Sequence, residues 1–202
     1  MKPLVSIVIT TYNSERTISK VLNSVINQDF PLNKIEIILV DGNSKDNTIN
    51  ILKEFQTKYR EKFYDIKIIL HEKNYGISKA RNDGIKAAQG DYILILDHDV
   101  IMPRDTLRKL YEYLLRSSPK VVAVVALHHH IGGGVLEKLQ ESILEGRIVK
   151  TYGLTSCALI RREYVKHELY DESLGPPYTI YEDMEYGARA FKRGFEVHLN
   201  GL

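Results

Sequence analysis

Asp97 and Asp99 stand one residue apart at the end of the apolar run Leu94-Ile95-Leu96. If a strand carries through them, side chains two apart project to the same side and both carboxylates converge beyond its end. Two hard oxygen donors placed so suit Mg²⁺ or Mn²⁺, ions that take one or two carboxylates and complete their shell with substrate phosphates. The pair therefore predicts a site for a phosphorylated, nucleotide-like ligand.

Four more segments could join that chemistry. Val40-Asp41-Gly42-Asn43-Ser44 ends a second apolar run in an acid and a glycine turn, with Ser44 or Asp46 placed to cap a following helix. Asp41 fits either that turn or hydrogen bonding to a nucleoside, as strand-end acids do in dinucleotide folds. Thr10-Thr11-Tyr12 closes the first run without the glycine spacing of a dinucleotide or P-loop motif, which counts against a dehydrogenase or a P-loop NTPase. Arg81 falls one turn into a helix near Lys79, a placement that opposes the helix dipole. A phosphate gripped by the guanidinium fork would compensate, and a surface salt bridge with Asp83 or Asp41 is the alternative. Glu182 and Asp183 open the last helix after the turn Gly175-Pro176-Pro177, where the dipole favours a carboxylate and where any first turn prefers acids.

The elements that must position these residues alternate. Short β-branched runs at 4–10, 35–40, 66–70, 92–96 and 121–127 are of the kind buried on both faces of a parallel sheet. Between them lie helical stripes: Ile18, Val21, Leu22, Val25 and Ile26; then Ile51, Leu52, Phe55 and Tyr59; then Ile77, Ala80, Gly84, Ile85 and Ala88. Pro103 fits the first turn of a fourth helix ahead of Leu107, Leu110, Tyr111 and Leu114. This rhythm predicts an α/β fold with a mostly parallel, Rossmann-like sheet flanked by helices, whose ligands lie beyond the carboxyl ends of the strands. Further on we expect a loop at His128-His129-His130, a helix over 135–148, a strand over 154–160, a helix over 182–193 stopped by Gly194, and a strand over 195–199. Consecutive histidines in an extended segment point to opposite faces, which favours a loop near a cleft over a zinc site.

Composition sets the outer bounds. The chain has 202 residues, 44% of them hydrophobic, enough for one domain with a sizeable core. Its 28 Lys and Arg nearly balance 26 Asp and Glu, which gives no case for a nucleic-acid partner. Cys157 stands alone, so no internal disulfide forms and a reducing, cytoplasmic setting fits. No apolar run is long enough to cross a bilayer, and the N-terminus lacks the regions of a signal peptide. The chain stops soon after its last strand with no closing element, so a longer parent protein is expected.

Five segments together resemble glycosyltransferase family 2. They are residues 5–13, residues 40–48, Asn74-x-Gly76 with Ala80-Arg81-Asn82-x-Gly84, Gly90-Asp91-Tyr92 leading to Asp97-x-Asp99, and Tyr181-Glu182-Asp183-Met184-Glu185-Tyr186 with Gly194-Phe195. The resemblance implies a GT-A fold over residues 1–202, with a nucleotide-sugar-binding half at 1–100 and an acceptor half at 101–202 cut short at its end. It implies a metal-dependent inverting glycosyltransferase using Mn²⁺ or Mg²⁺ and a nucleoside-diphosphate sugar. By the same resemblance Thr10 and Tyr12 border the base, Asp41 hydrogen-bonds the nucleoside, and Arg81 lies near the base and diphosphate. Asp97 holds the ribose or the outer shell of the metal, Asp99 ligates the metal, Asp183 is the catalytic base and Glu182 helps orient the acceptor.

A base pocket of Tyr12, Asp41 and Arg81 suits uracil, with guanine as the alternative, so a UDP-sugar is expected. The resemblance implies a saccharide, a protein or a lipid-linked group as the expected acceptor, the last at the cytoplasmic face of a membrane. The chain has no Trp, so the Gln-x-x-Arg-Trp signature of processive members is missing and a single-addition enzyme is expected. His98, between the two aspartates, is at a position variable in the family. Two rivals are a non-catalytic nucleotide-sugar-binding scaffold and a sugar-nucleotide pyrophosphorylase, which would need a glycine-rich phosphate loop where Thr11-Tyr12-Asn13 stands.

Overall fold

A run of Val and Ile with no polar face is stable as a strand only when covered on both sides. β1 (Val5–Thr11) and β2 (Ile35–Asp41) are buried at every residue. β3 (Asp65–Leu70), β4 (Tyr92–Asp97), β5 (Val121–Ala126), β6 (Ile148–Lys150), β7 (Cys157–Arg161) and β8 (Glu196–Asn200) complete one sheet in the order β3-β2-β1-β4-β7-β5-β8-β6. The computed structural model describes residues 2–127, 146–154, 156–174 and 181–200.

The helices are α1 (Ile18–Ile26), α2 (Thr48–Tyr59), α3 (Ile77–Ala87), α4 (Thr106–Arg116), α5 (Arg162–Val165) and α6 (Glu182–Lys192). Alternate residues of β1 serve two layers. Val5, Ile7 and Ile9 share a core with Val21 and Leu22 of α1, Phe55 of α2 and Leu107 of α4. Val8 faces the other way, into a core with Ala80 and Ile85 of α3 and Tyr186 and Ala190 of α6. Gly84 lets α3 lie tight on that face, since a Cβ there would come within 2.3 Å of the Val8 side chain.

Several expectations are corrected. The sheet is parallel through β3-β2-β1-β4, but β7 runs antiparallel between β4 and β5, so β5 is not the next parallel neighbour of β4. The strand foreseen at 154–160 starts only at Cys157, after Ser156 turns the chain at φ 60°. Ile148, foreseen as helical, lies in β6, whose three residues hydrogen-bond to β8. Pro103 precedes α4, accepting the Thr106 N–H in a turn, and Asp105 is the residue before the helix. Ser44 caps nothing; the Thr48 N–H and hydroxyl both donate to Asp46. Gly194 does stop α6, with φ 83°. His128, His129, His130, residues 135–145, Thr155 and the Gly175-Pro176-Pro177 turn lie outside the described residues. Among the described residues no helix is long and apolar enough to cross a membrane.

Candidate active site

The chain runs outward from β1 to β2 and β3, then returns to β4 on the opposite side of β1, which opens a crevice beyond the strand ends. Register sets those ends level: Thr11 pairs with Asp41, and Thr10 pairs with Asp97. A cleft of about 400 Å³ opens there, lined by Thr10, Thr11, Tyr12, Gly42, Asn74, Gly76, Ile77, Ala80, His98 and Glu182. Thr10 and Tyr12, the two residues expected near a base, both line this cleft, and Tyr12 is exposed. Among the described residues no Lys or Arg lines the cleft.

Asp41 is fully buried and does not line the cleft. Its Oδ1 accepts from the Ser44 N–H at 2.8 Å, and Oδ2 accepts from the hydroxyls of Ser44 at 2.6 Å and Thr11 at 2.8 Å. The Ser44 hydroxyl in turn accepts from the Asn13 N–H. The direct nucleoside contact expected of Asp41 is therefore not presented by this geometry: its carboxylate already serves the β2–α2 turn, and burial keeps it from the cleft.

The end of β4 differs. The strand stops at Asp97, and His98 and Asp99 form the turn beyond it, so the two aspartates do not share one strand face. Asp97 Oδ1 accepts from Arg81 at 3.0 Å. Asp99 is exposed and makes no hydrogen bond or ion pair among the described residues. His98 Nδ1 lies 3.4 Å from the Thr17 hydroxyl, and the residue is one of those lining the cleft. Among the described residues no three His, Cys, Asp or Glu side chains gather into a metal cage. One unpartnered carboxylate beside a second with a spare oxygen does fit Mg²⁺ or Mn²⁺ held jointly with phosphates.

Arg81 is neither a surface ion pair nor a cleft residue. It is 2% exposed, and its two terminal nitrogens donate to Asp97 and, at 2.7 Å, to Glu182. Lys79 takes Asp83 instead. Burial disfavours the Arg81 charge, but Tyr170, Asp97 and Glu182 together more than offset it and hold its pKa above the usual guanidinium value. The guanidinium lies 5.2 Å from the Tyr170 ring, and that ring stacks on Tyr186 of α6 at 4.4 Å and 16°. Burial pushes the Tyr170 phenol up to about 12, so it stays neutral. Asn82 completes the contact: it donates to the Tyr170 carbonyl and accepts from the Tyr170 N–H, both at 2.9 Å. Sequence reasoning missed Tyr170, whose surroundings carry no periodic signal, and gave Asn82 no role although it stands in the Ala80-Arg81-Asn82-x-Gly84 segment.

Tyr181 precedes α6 in the left-handed region at φ 78°, an uncommon place for a bulky residue. It leads into Glu182 and Asp183, both nearly buried at the first turn. Glu182 borders the same cleft as Thr10 and Tyr12. Asp183 makes no hydrogen bond or ion pair among the described residues. Cys157 points into the core, opposite Leu96, and burial raises its thiol to about 12.

The sequence matches the family model described as Glycosyl transferase family 2 over residues 6–169. It is 28% identical, across 97% of its length, to a Methanococcus voltae protein named dolichyl N-acetyl-alpha-D-glucosaminyl phosphate 3-beta-D-2,3-diacetamido-2,3-dideoxy-beta-D-glucuronosyltransferase. It is 31% identical, across 74% of its length, to the Staphylococcus aureus poly(ribitol-phosphate) beta-N-acetylglucosaminyltransferase TarS, covering 26% of that protein. The fold superposes on residues 1–349 of TarS solved with UDP-GlcNAc at a TM-score of 0.78 and 26% identity, covering all of this chain and 56% of that one. A Pyrobaculum calidifontis mannosyltransferase, solved with GDP-Man and Mn²⁺, shares the fold at a TM-score of 0.77 and 22% identity, over 100% of this chain and 57% of that one. The chain spans 64% of the length of the Methanococcus relative. The fold is the GT-A type, and the chain belongs to glycosyl transferase family 2.

Proposed function

We propose that this chain catalyses inverting transfer of a sugar from a nucleoside-diphosphate donor, a UDP-sugar by preference, to an acceptor hydroxyl or a lipid phosphate. The observation that carries the reading is one cleft that joins Thr10 and Tyr12 at the end of β1 to Glu182 at the start of α6, with the unpartnered Asp99 and Asp183 on the flanking turns. TarS structures with UDP and with UDP-GlcNAc support a uridine donor, and the dolichyl-linked acceptor in the Methanococcus relative's name supports a lipid-linked acceptor.

In this reading Thr10 and Tyr12 border the base and Asp41 holds the turn that shapes that side of the cleft. Asp183 takes the proton from the acceptor hydroxyl as its oxygen attacks the anomeric carbon, and the nucleoside diphosphate leaves from the opposite face. The product is inverted and no covalent sugar–protein intermediate forms. Asp99, with the spare oxygen of Asp97, would hold Mn²⁺ or Mg²⁺. A divalent ion there would supply positive charge against the departing diphosphate, in a cleft lined by no cationic side chain among the described residues.

Incubation with a panel of nucleotide sugars and Mn²⁺, read as nucleoside diphosphate release, tests this. Release from a UDP-sugar supports the reading. Binding without release would make the chain a scaffold, and dependence on pyrophosphate would make it a pyrophosphorylase.

A further inference from the structure

Arg81 stands between the two sides of the reaction without facing the cleft. The end of β4 supplies Asp97, the start of α6 supplies Glu182, and one guanidinium donates to both. The side chain is 2% exposed and is not among the described residues that line the cleft, and its Nε is buried with no partner among the described residues. A charge this deep is tolerated because both terminal nitrogens are matched by carboxylates and the plane lies near an aromatic face. Asn82, the next residue of α3, fastens the backbone of Tyr170, and Tyr170 stacks on Tyr186 one turn beyond Glu182. Two consecutive side chains of one helix thus tie together a strand end, the segment around Tyr170 and α6.

We propose that Arg81 is a positioning residue that sets the β4 carboxylate and the α6 carboxylates relative to one another, rather than a ligand of the diphosphate. The inference rests on the glycosyltransferase reading and adds a physical link between its donor and acceptor sides. Lysine cannot replace it, because a single ammonium on a flexible stem lacks the fixed fork that reaches two carboxylates at once. A loose Asp97 and a shifted α6 leave the base side of the cleft intact but misplace the reacting groups, which costs rate more than affinity.

Arg81→Lys is the test, read by uridine and UDP titration with and without Mn²⁺, by thermal unfolding, and by sugar-nucleotide turnover in the full-length protein. The expected result is uridine affinity and Mn²⁺-free UDP affinity within about threefold of wild type, with turnover lowered about 10- to 100-fold. A fall in Mn²⁺-free UDP affinity with uridine affinity unchanged would make Arg81 a diphosphate ligand and overturn the proposal. So would turnover like wild type in a folded variant, which would leave Arg81 with a role in stability alone. If Arg81→Lys does not fold, Asp97→Asn and Glu182→Gln replace it. Sharing one cation, they should be non-additive in turnover by about fivefold or more, whereas additivity refutes the link. A wild-type protein that releases no nucleoside diphosphate would instead refute the glycosyltransferase reading itself.

Discussion

The carboxyl ends of β2 and β4 flank the same strand, and both carry an aspartate next to the cleft, yet the two ends do different work. Asp41 is sealed in, with three donors on its two oxygens. At the β4 end Asp97 gives one oxygen to Arg81, and Asp99 lies in the following turn exposed and without a partner among the described residues. A carboxylate whose lone pairs already serve the fold is part of the scaffold, while one left without donors can take a ligand. Asp183 belongs with Asp99 in this respect: nearly buried, at the start of a helix, and without a hydrogen bond among the described residues.

The largest expected effect of that contrast is on rate. Asp183→Asn keeps shape and helix-start preference but cannot take a proton, so turnover should fall about 10²–10⁴-fold while donor affinity stays within a small factor. Steady-state assays with the true acceptor, beside nucleotide titration, read both quantities. Turnover near wild type would return Asp183 to the role of a helix-start acid and place the base elsewhere.

Asp41→Asn should act on stability instead. The amide presents one nitrogen to donors that now meet oxygen, so chemical denaturation should show a loss of about 1–3 kcal/mol. Unchanged stability with weakened UDP binding would break the contrast and restore Asp41 as a direct nucleoside contact. The smallest effect is expected at Thr11→Val, which removes one of the three donors to Asp41 at a cost of about 0.5–1.5 kcal/mol. Measured in the Asp41→Asn background, most of that cost should vanish, because the two side chains share the bond.

Much of the frame was legible in the residues. The β-branched runs and amphipathic stripes located β1 to β5 and α1 to α4 within a few residues, because local periodicity reports burial directly. The small-residue stripe of α3 foretold its close seat on the sheet, and Gly84 against Val8 is its physical form. Pairing partners were less legible: nothing local in residues 157–161 says that β7 inserts antiparallel between β4 and β5, a matter of long-range connection. In the site, residue type and spacing singled out Asp97 and Asp99, and the family resemblance added Glu182 and Asp183, but neither said which acids are engaged. Arg81 shows why. Its sequence neighbourhood suggested an exposed cation at a helix start, while its partners, Asp97, Glu182 and Tyr170, come from segments up to 101 residues away.

The central claim, that ligand chemistry belongs to the unpartnered carboxylates, meets its most direct test in UDP titration by calorimetry with and without Mn²⁺. Wild type, Asp99→Ala and folded Asp41→Asn would be compared side by side. Mn²⁺ should tighten UDP binding to wild type and to Asp41→Asn and have no effect on Asp99→Ala. Equal Mn²⁺ dependence in Asp99→Ala and wild type would contradict it.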